Sequence, residues 1–439
     1  MRQAPEFSPP PLERPNPPIV LLRHYRLLTP LFGGGVEAGK VDVTTPIRGT
    51  SIRGQLRFWW RATRGGEFGG SPTSMKADES RIWGKTSTAS KVTITVLEAR
   101  PGRVYEKARN SRGDTIPVGE PASDHSYVAF PLKSERPRGD RPGKAAGEVH
   151  EGVTFTLRIS FPSNLANDVR AALWAWETFG GIGARTRRGF GALACDDVKL
   201  EEGSAPLPLD EWRWLYPCES VAARLADDIG RFVSQGEFPP GVPHLSHAPQ
   251  RRKLQPAHDD ALVVWRRLFG KLKEFRQNRG RGTGPRPGRS HWPEPDAIRH
   301  LTVHSPLHPD RRPIFTPRID KFPRADFGLP IVFQFKSEAG GPREPEQTQL
   351  QGANYDRLAS PLILRPLACE GGRAVGLAVI LNGPRPDQMP GGLILKGAPH
   401  DPPVYATLDP TTEAPQVSAA TGGAYNGNPD VLQAFLDTL

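Results

Sequence analysis

The spacing of apolar residues over the first two hundred positions predicts a strand, a helix, two strands, a helix and a final strand. Every second residue is apolar in segments such as TFTLRISF, which is typical of a strand with one buried face. Thr50 or Ser51 is expected to cap the first helix and Asn164 the second, and Gly180 lies just past the second helix. The strands are predicted at 19–32, 91–100, 154–161 and 189–200, and the helices at 51–65 and 164–180.

This order of elements predicts an α+β fold of the split βαβ, or ferredoxin-like, kind, with two helices on one face of a four-stranded sheet. A Rossmann fold would need strict alternation of strand and helix, which the chain lacks. In the second half, the pattern predicts helices and strands that suit a second α+β unit with a large helical insertion. The helices are expected at 261–277 and 431–439, and the strands at 329–336, 360–368 and 373–382.

The length of 439 residues favours two domains. We expect a proline-rich leader at 1–18, an N-terminal domain at 19–212 and a C-terminal domain at 213–439. Residues 101–150 are polar, basic and rich in Gly and Pro, so we expect a surface insertion there. With 46 Gly and 48 Pro in all, the composition excludes a collagen, a coiled coil or a disordered chain.

Cysteine content and hydropathy narrow the class of protein further. The three cysteines share no CxxC spacing, so a disulfide framework or zinc site is not expected, and neither is any other metal or cofactor. The leader has no apolar segment of a signal peptide, and the longest apolar run covers about eight residues, too few to span a bilayer. We therefore expect a soluble protein of a reducing cytoplasm with no membrane partner.

Charge points to a polyanionic partner. The net charge is +11, and the chain has 44 Arg but only 14 Lys. A GC-rich genome explains much of that total, but not the positions of the arginines. On the first helix, four arginines fall on one stripe with no acidic residue three or four positions away inside the helix, and Gly54 lies beside them. Phosphate binding by this stripe is the preferred interpretation, and salt bridges to distant carboxylates are the alternative. The residues are Arg53, Arg57, Arg61 and Arg64, with Arg48 just before the helix.

Two glycine-rich segments flank this helix in the sequence. GGIGARTRRGFG, at 180–191, lacks the GK[ST] of a Walker A loop and precedes a strand, so it is not a dinucleotide fingerprint. We expect its Arg185, Arg187 and Arg188 to contact RNA, and a second cluster, at 33–40, follows the first strand. The glycines expected at the RNA are Gly33, Gly34, Gly35, Gly180, Gly181, Gly183, Gly189 and Gly191.

Candidates for catalysis are weak. Either His24 or Tyr25 must point inward from the first strand, and a core role is favoured for it. Asp42 stands in the glycine-rich loop without a partner carboxylate, which makes a poor Mg²⁺ site. The sequence therefore predicts binding rather than bond breaking.

Three segments, LLTPLFGGG, TPIRGTSIRGQLRFWWRATRGG and LWAWETFGGIGARTRRGFG, carry a specific resemblance. They resemble the RAMP superfamily of CRISPR systems and, within it, the first RAMP subunit of the Cmr (type III-B) effector complex. The glycine-rich loop after the second helix is the defining motif of that superfamily. The match is dense over 27–64 and 173–193 and continues more weakly from residue 290.

The resemblance implies tandem ferredoxin-like (RRM-like) domains with large insertions, and a non-catalytic subunit in the prokaryotic cytoplasm. It implies contact with the 3′ part of the guide RNA and its duplex with target RNA, and help in capturing the target. It also implies other RAMP subunits and small helical subunits as partners. Slicing in such complexes uses an Asp in a loop comparable to that of Asp42, which we interpret as non-catalytic here.

Two alternatives stay open. One is a metal-independent RAMP endoribonuclease that processes guide-RNA precursors, with a general base such as His24. The other is a protein-binding scaffold whose arginines pair with acidic neighbours.

Overall fold

The computed structural model describes residues 17–33, 35, 37, 39–137, 139, 142–281, 288–304, 314–335, 344–423 and 425–439. Most of the predicted leader therefore lies outside the described residues. The strands are β1 Ile19–Leu27, β2 Leu31–Phe32, β3 Thr93–Arg100, β4 Arg103–Val104, β5 Val149–Glu151, β6 Thr154–Phe161, β7 Leu193–Leu200, β8 Arg252–His258, β9 Ile331–Phe333, β10 Thr348–Gly352, β11 Leu362–Ala368, β12 Ala374–Ile380, β13 Leu393–Lys396 and β14 Pro403–Val404. The helices are α1 Gly49–Arg64, α2 Pro72–Trp83, α3 Ser126–Ala129, α4 Ala166–Phe179, α5 Val221–Phe232, α6 Ala261–Arg276, α7 Glu294–Leu301, α8 Glu413–Ala420 and α9 Val431–Asp437.

The first sheet has the antiparallel order β3–β6–β1–β7, with α1 and α4 as the two crossover helices. In chain order its strands are second, third, first and fourth, which is the ferredoxin-like arrangement and confirms the predicted fold class. The predicted caps are wrong. Arg48 precedes α1 without a side-chain cap, and a 3-10 turn at Ser163–Leu165 leads into α4 in place of an Asn164 cap.

The second sheet has the antiparallel order β11–β12–β8, with α6 and α9 against one face. It repeats the order of the first sheet up to the third strand, and no fourth strand pairs with β8 among the described residues. The strand predicted at 329–336 forms β9, but β9 joins a separate sheet of order β14–β13–β10–β9. The sequence analysis missed β8, which occupies the second sheet instead of the strand predicted at 329–336.

One hydrophobic core joins the two sheets. Side chains of α1, α4 and the first sheet form a continuous cluster with Ile363, Leu377 and Val379 of the second sheet. Nearly every residue of α4 from Val169 to Phe179 is buried, since the first sheet covers one side of the helix and the second sheet and α5 cover the other. The helix that leads into the second glycine-rich segment is therefore fixed on all sides.

The insertion at 101–150 has a core of its own, which corrects the expectation of a purely surface segment. Its β5 pairs with both β2 and β4 in a small sheet. Tyr105, Val128 and Leu132 are buried with Trp265 and Phe269 of α6. The insertion therefore bridges the first glycine-rich segment and the second α+β unit.

Candidate nucleic-acid interface

Most arginines of the α1 stripe are paired with carboxylates of the same chain. Arg57 Nε and Arg61 Nη1 lie 2.7 and 2.6 Å from the same Oε1 of Glu79, whose side chain is only 6% exposed. Arg64 pairs with Glu67 in the turn that follows α1. Glu79 belongs to α2, a helix that the sequence analysis did not predict. The alternative interpretation, salt bridges to carboxylates outside the helix, therefore holds for three of the four arginines.

Arg53 differs from the other residues of the stripe. It has no carboxylate partner among the residues that the structure describes, and its Nε is buried without a hydrogen-bond partner. It lies on the opposite side of α1 from Ser51 and Gln55, since successive helix residues are 100° apart. Its guanidinium is thus half-buried and unpaired beside the pair formed by Arg57 and Glu79.

A cleft of about 490 Å³ opens at the first turns of α1. Glycines from both glycine-rich segments and from the helix form part of its wall, where the backbone is left bare. An added Cβ at Gly54 would meet no atom within 4 Å, so this helix position faces open space. The lining residues are Gly33, Gly35, Pro46, Ile47, Arg48, Ser51, Gly54, Gln55, Ile182, Gly183 and Ala184.

The electrostatics of the cleft favour an anion. No side chain caps the first turn of α1 and no acidic residue lies in that turn, so the positive end of the helix dipole is left open. Arg48 reaches into the same place with a side chain 43% exposed and makes one weak contact, 3.3 Å from Asp42 Oδ2. The arrangement offers a phosphate the positive end of a helix and a cation.

Asp42 is occupied by its own loop. Its Oδ1 accepts hydrogen bonds from the N–H groups of Thr44 and Thr45, and its Oδ2 accepts one from Thr45 Oγ1 at 2.6 Å. These bonds, first the one from the Thr45 hydroxyl, lower the pKa of Asp42 to about 2. The carboxylate organises the turn that leads into α1.

In the second glycine-rich segment, Arg187 and Arg188 are used inside the protein. Arg187 donates to the carbonyl of Ser360. Arg188 donates to the carbonyls of Leu362 at 2.9 Å and Phe327 at 3.2 Å, and burial lowers its pKa to about 9. Both side chains hold the segment against the second sheet, in a place where a nucleic acid would have to displace protein.

The glycines of this segment serve the same close packing. A Cβ at Gly189 would lie 2.6 Å from Trp265, and one at Gly180 would lie 2.6 Å from Trp59 Nε1. Gly181 and Gly191 lie where the two ends of the loop come close together. A Cβ on Gly191 would overlap the carbonyl of Ile182. Gly183 alone lines the cleft, with Gly33 and Gly35 of the first segment. Gly34 lies outside the described residues.

Arg185 behaves differently from its two neighbours. Its backbone is left-handed, with φ of +55°, and its guanidinium lies 4.5 Å above the ring of Phe130. It has no carboxylate partner among the described residues, and burial lowers its pKa to about 10. The residue follows Ala184 of the cleft directly.

His24 and Tyr25 point to opposite faces of the first sheet. Tyr25 is buried beneath the helices, where its hydroxyl donates to Glu177, which also pairs with buried Arg23. His24 lies on the other face, hydrogen-bonded to Thr156 and opposite Asp197 of β7. His24 is therefore separated by the sheet from the cleft at α1.

The sequence analysis missed three residues that define the site: Glu79, Gln55 and Phe130. The carboxylate of Glu79 lies in a helix of weak amphipathicity, so only its acidic character against four arginines could have indicated it. Within the described residues, no group of three or more His, Cys, Asp and Glu side chains is placed to hold a metal ion. Nor does any helix in that part of the chain have the length and apolarity to cross a membrane.

Comparisons with known proteins agree with this picture of the first unit. The sequence model of the RAMP superfamily matches residues 24–194. The chain is 29% identical over 175 residues to the CRISPR system Cmr subunit Cmr1-2 of Pyrococcus furiosus, which covers 38% of this chain and 89% of that protein. It is 28% identical over 149 residues to Cmr1-1 of the same organism, which covers 34% of this chain and 40% of that protein.

Solved structures give a looser likeness. The apo crystal structure of Cmr1 from Pyrococcus furiosus matches with a TM-score of 0.42 and 16% identity, over 83% of this chain and 88% of that chain. A chain in the cryo-EM structure of the type III-B Cmr-beta bound to cognate target RNA matches with a TM-score of 0.49 and 13% identity, over 83% of this chain and 95% of that chain.

Proposed function

We propose, on the premise that residues 24–194 belong to the RAMP superfamily, that the protein is a non-catalytic, RNA-binding subunit of a type III-B CRISPR (Cmr) interference complex. It contacts the 3′ part of the guide RNA and its duplex with target RNA and helps to capture the target. Its other partners are RAMP subunits and small helical subunits, in a prokaryotic cytoplasm. Its N-terminal domain spans 19–212 and its C-terminal domain spans 213–439.

The observation that carries the RNA-binding part is the cleft at the first turns of α1. Backbone at Gly33, Gly35 and Gly183 lets a ribose-phosphate chain come close, and the uncapped helix end and Arg48 provide positive potential. These contacts reach phosphates and not base edges, so we expect salt-dependent binding with little sequence preference.

A catalytic role has less support. The carboxylate of Asp42 is engaged by Thr44, Thr45 and Arg48, and His24 lies across the sheet from the cleft. A guide-processing endoribonuclease would need its general base beside the bound phosphate. We therefore favour binding without cleavage.

The experiment uses Gly54→Glu, which places a carboxylate in the cleft at a position with open space. RNA affinity, measured by fluorescence anisotropy with labelled single-stranded RNA at low salt, should fall by roughly tenfold because the new charge repels phosphate. The neutral Gly54→Gln variant separates charge from size and should lose less.

Gly230→Glu is the matched control, since Gly230 is an exposed position of α5 at which a Cβ also meets nothing within 4 Å. Both Glu variants replace a helical glycine, so both should be at least as stable as the parent. Equal RNA affinity in Gly54→Glu and Gly230→Glu would refute the cleft as the RNA site.

A further inference from the structure

Phe130 is an exposed aromatic residue held in a fixed place. Its residue surface is 60% exposed, whereas Val128, Ala129 and Leu132 on either side of it are buried in the core of the insertion. The backbone at Phe130 is therefore anchored by its neighbours, and the ring is presented to solvent by a rigid turn.

Arg185 lies against this ring and lacks the partners that the other arginines of the segment have. Arg187 and Arg188 donate to backbone carbonyls of the second unit. The Nε of Arg185 is buried without a hydrogen-bond partner, and no described carboxylate pairs with its guanidinium. Its left-handed backbone is a conformation that residues other than glycine adopt at some energetic cost. The pair of Phe130 and Arg185 thus joins an open aromatic face to an unpaired cation.

The pair stands at the loop end of the cleft. Ala184, the residue before Arg185, lines the cleft, and its N–H donates to the carbonyl of Phe32. Leu132, two residues after Phe130, lies against Gly39 of the first glycine-rich segment. A chain that leaves the cleft past Ala184 meets the Phe130 ring next.

We propose that Phe130 is a stacking platform for an unpaired base of the RNA that occupies the cleft, with Arg185 supporting the ring from behind. The inference rests on the proposed function, because it adds a base contact to a site that otherwise holds phosphates. Stacking on an aromatic face suits single-stranded RNA and tolerates any base, since every base has a π-face. An insertion beside the cleft would in this way hold one end of the bound strand.

The test compares Phe130→Ala with Phe130→Trp in the full chain, using labelled single-stranded RNA. Phe130→Ala should weaken binding by about tenfold, and Phe130→Trp should bind as well as the parent. The slope of affinity against salt should stay the same, because no phosphate contact is lost. An RNA with abasic nucleotides should bind the parent about as weakly as intact RNA binds Phe130→Ala, with no further loss in the combination.

Tyr405→Ala is the matched control. Tyr405 is 58% exposed and has Lys321 Nζ 5.0 Å from its ring centroid, but it directly follows β14 of the separate sheet. If Phe130→Ala and Tyr405→Ala bind RNA equally while Gly54→Glu binds more weakly, the stacking inference is overturned and the cleft stands. If none of the three variants changes RNA affinity, both proposals fall. A loss in Phe130→Ala that is the same for intact and abasic RNA would also overturn stacking, as would loss of subunit assembly with unchanged RNA affinity.

Discussion

The two ends of α1 use arginine in different ways. Toward its C-terminus, Arg57 and Arg61 share the nearly buried carboxylate of Glu79, which ties this half of the helix to α2. At its N-terminus, Arg48 stands beside an uncapped helix end and bare glycine backbone. Arg57 and Arg61 lie 2.7 and 2.6 Å from a nearly buried carboxylate, whereas Arg48 has only a 3.3 Å contact with the more exposed Asp42. The comparison teaches that an anion site is marked by arginines that are loosely paired in the folded protein and not by the density of arginines.

The largest effect is expected at an arginine that belongs wholly to the fold. Arg188→Met keeps most of the side-chain volume but removes the donors to the carbonyls of Leu362 and Phe327. The free energy of unfolding should fall by about 3 kcal/mol, because buried carbonyls lose their partners. Denaturant titration measures this change.

Arg48→Met is the control for that prediction, since its side chain is 43% exposed. Its effect on unfolding should stay within about 0.5 kcal/mol. An Arg188→Met variant as stable as the parent would show that Arg188 does not hold the second glycine-rich segment against the second sheet. Arg188 would then again be a candidate for contact with RNA.

A smaller effect is expected when Arg57 and Arg61 lose the carboxylate that they share. Glu79→Gln leaves Arg57 and Arg61 facing an amide, and the free energy of unfolding should fall by about 1–3 kcal/mol. RNA affinity should not fall, because these arginines do not contact the ligand. Thermal unfolding and anisotropy on the same preparation give both quantities.

Asp78→Asn is the control on the same helix, because Asp78 pairs with Arg81 where both side chains are partly exposed. That exchange should change stability by no more than about 0.5 kcal/mol. A tenfold gain of RNA affinity in Glu79→Gln alone would contradict the comparison, since it would mean that Glu79 masks an RNA-binding surface.

The sequence predicted the sheet and the two crossover helices of the first unit well, because these elements have a clear period, whereas α2 was missed. The strand predicted at 154–161 coincides with β6, and Gly180 ends α4 as expected. The helix caps were wrong because 3-10 turns and backbone geometry replaced side-chain caps. β8 was missed because Pro256 and a register shift interrupt its alternation.

The site was predicted less well, because its partners are distant in the chain. Glu79 is 22 residues from Arg57, and the acceptors of Arg188 are 139 and 174 residues away. No local pattern encodes such pairs. The glycines were expected at the RNA, and the sequence could not tell that Gly33, Gly35 and Gly183 border a cleft while Gly189 borders Trp265.

The most direct test removes one charge from each end of α1 and compares Arg48→Gln with Arg57→Gln. The slope of log affinity against log salt for single-stranded RNA should become shallower by about 0.7 in Arg48→Gln, as expected for one lost phosphate contact, and should not change in Arg57→Gln. The opposite result, a shallower slope in Arg57→Gln and an unchanged slope in Arg48→Gln, would contradict the account.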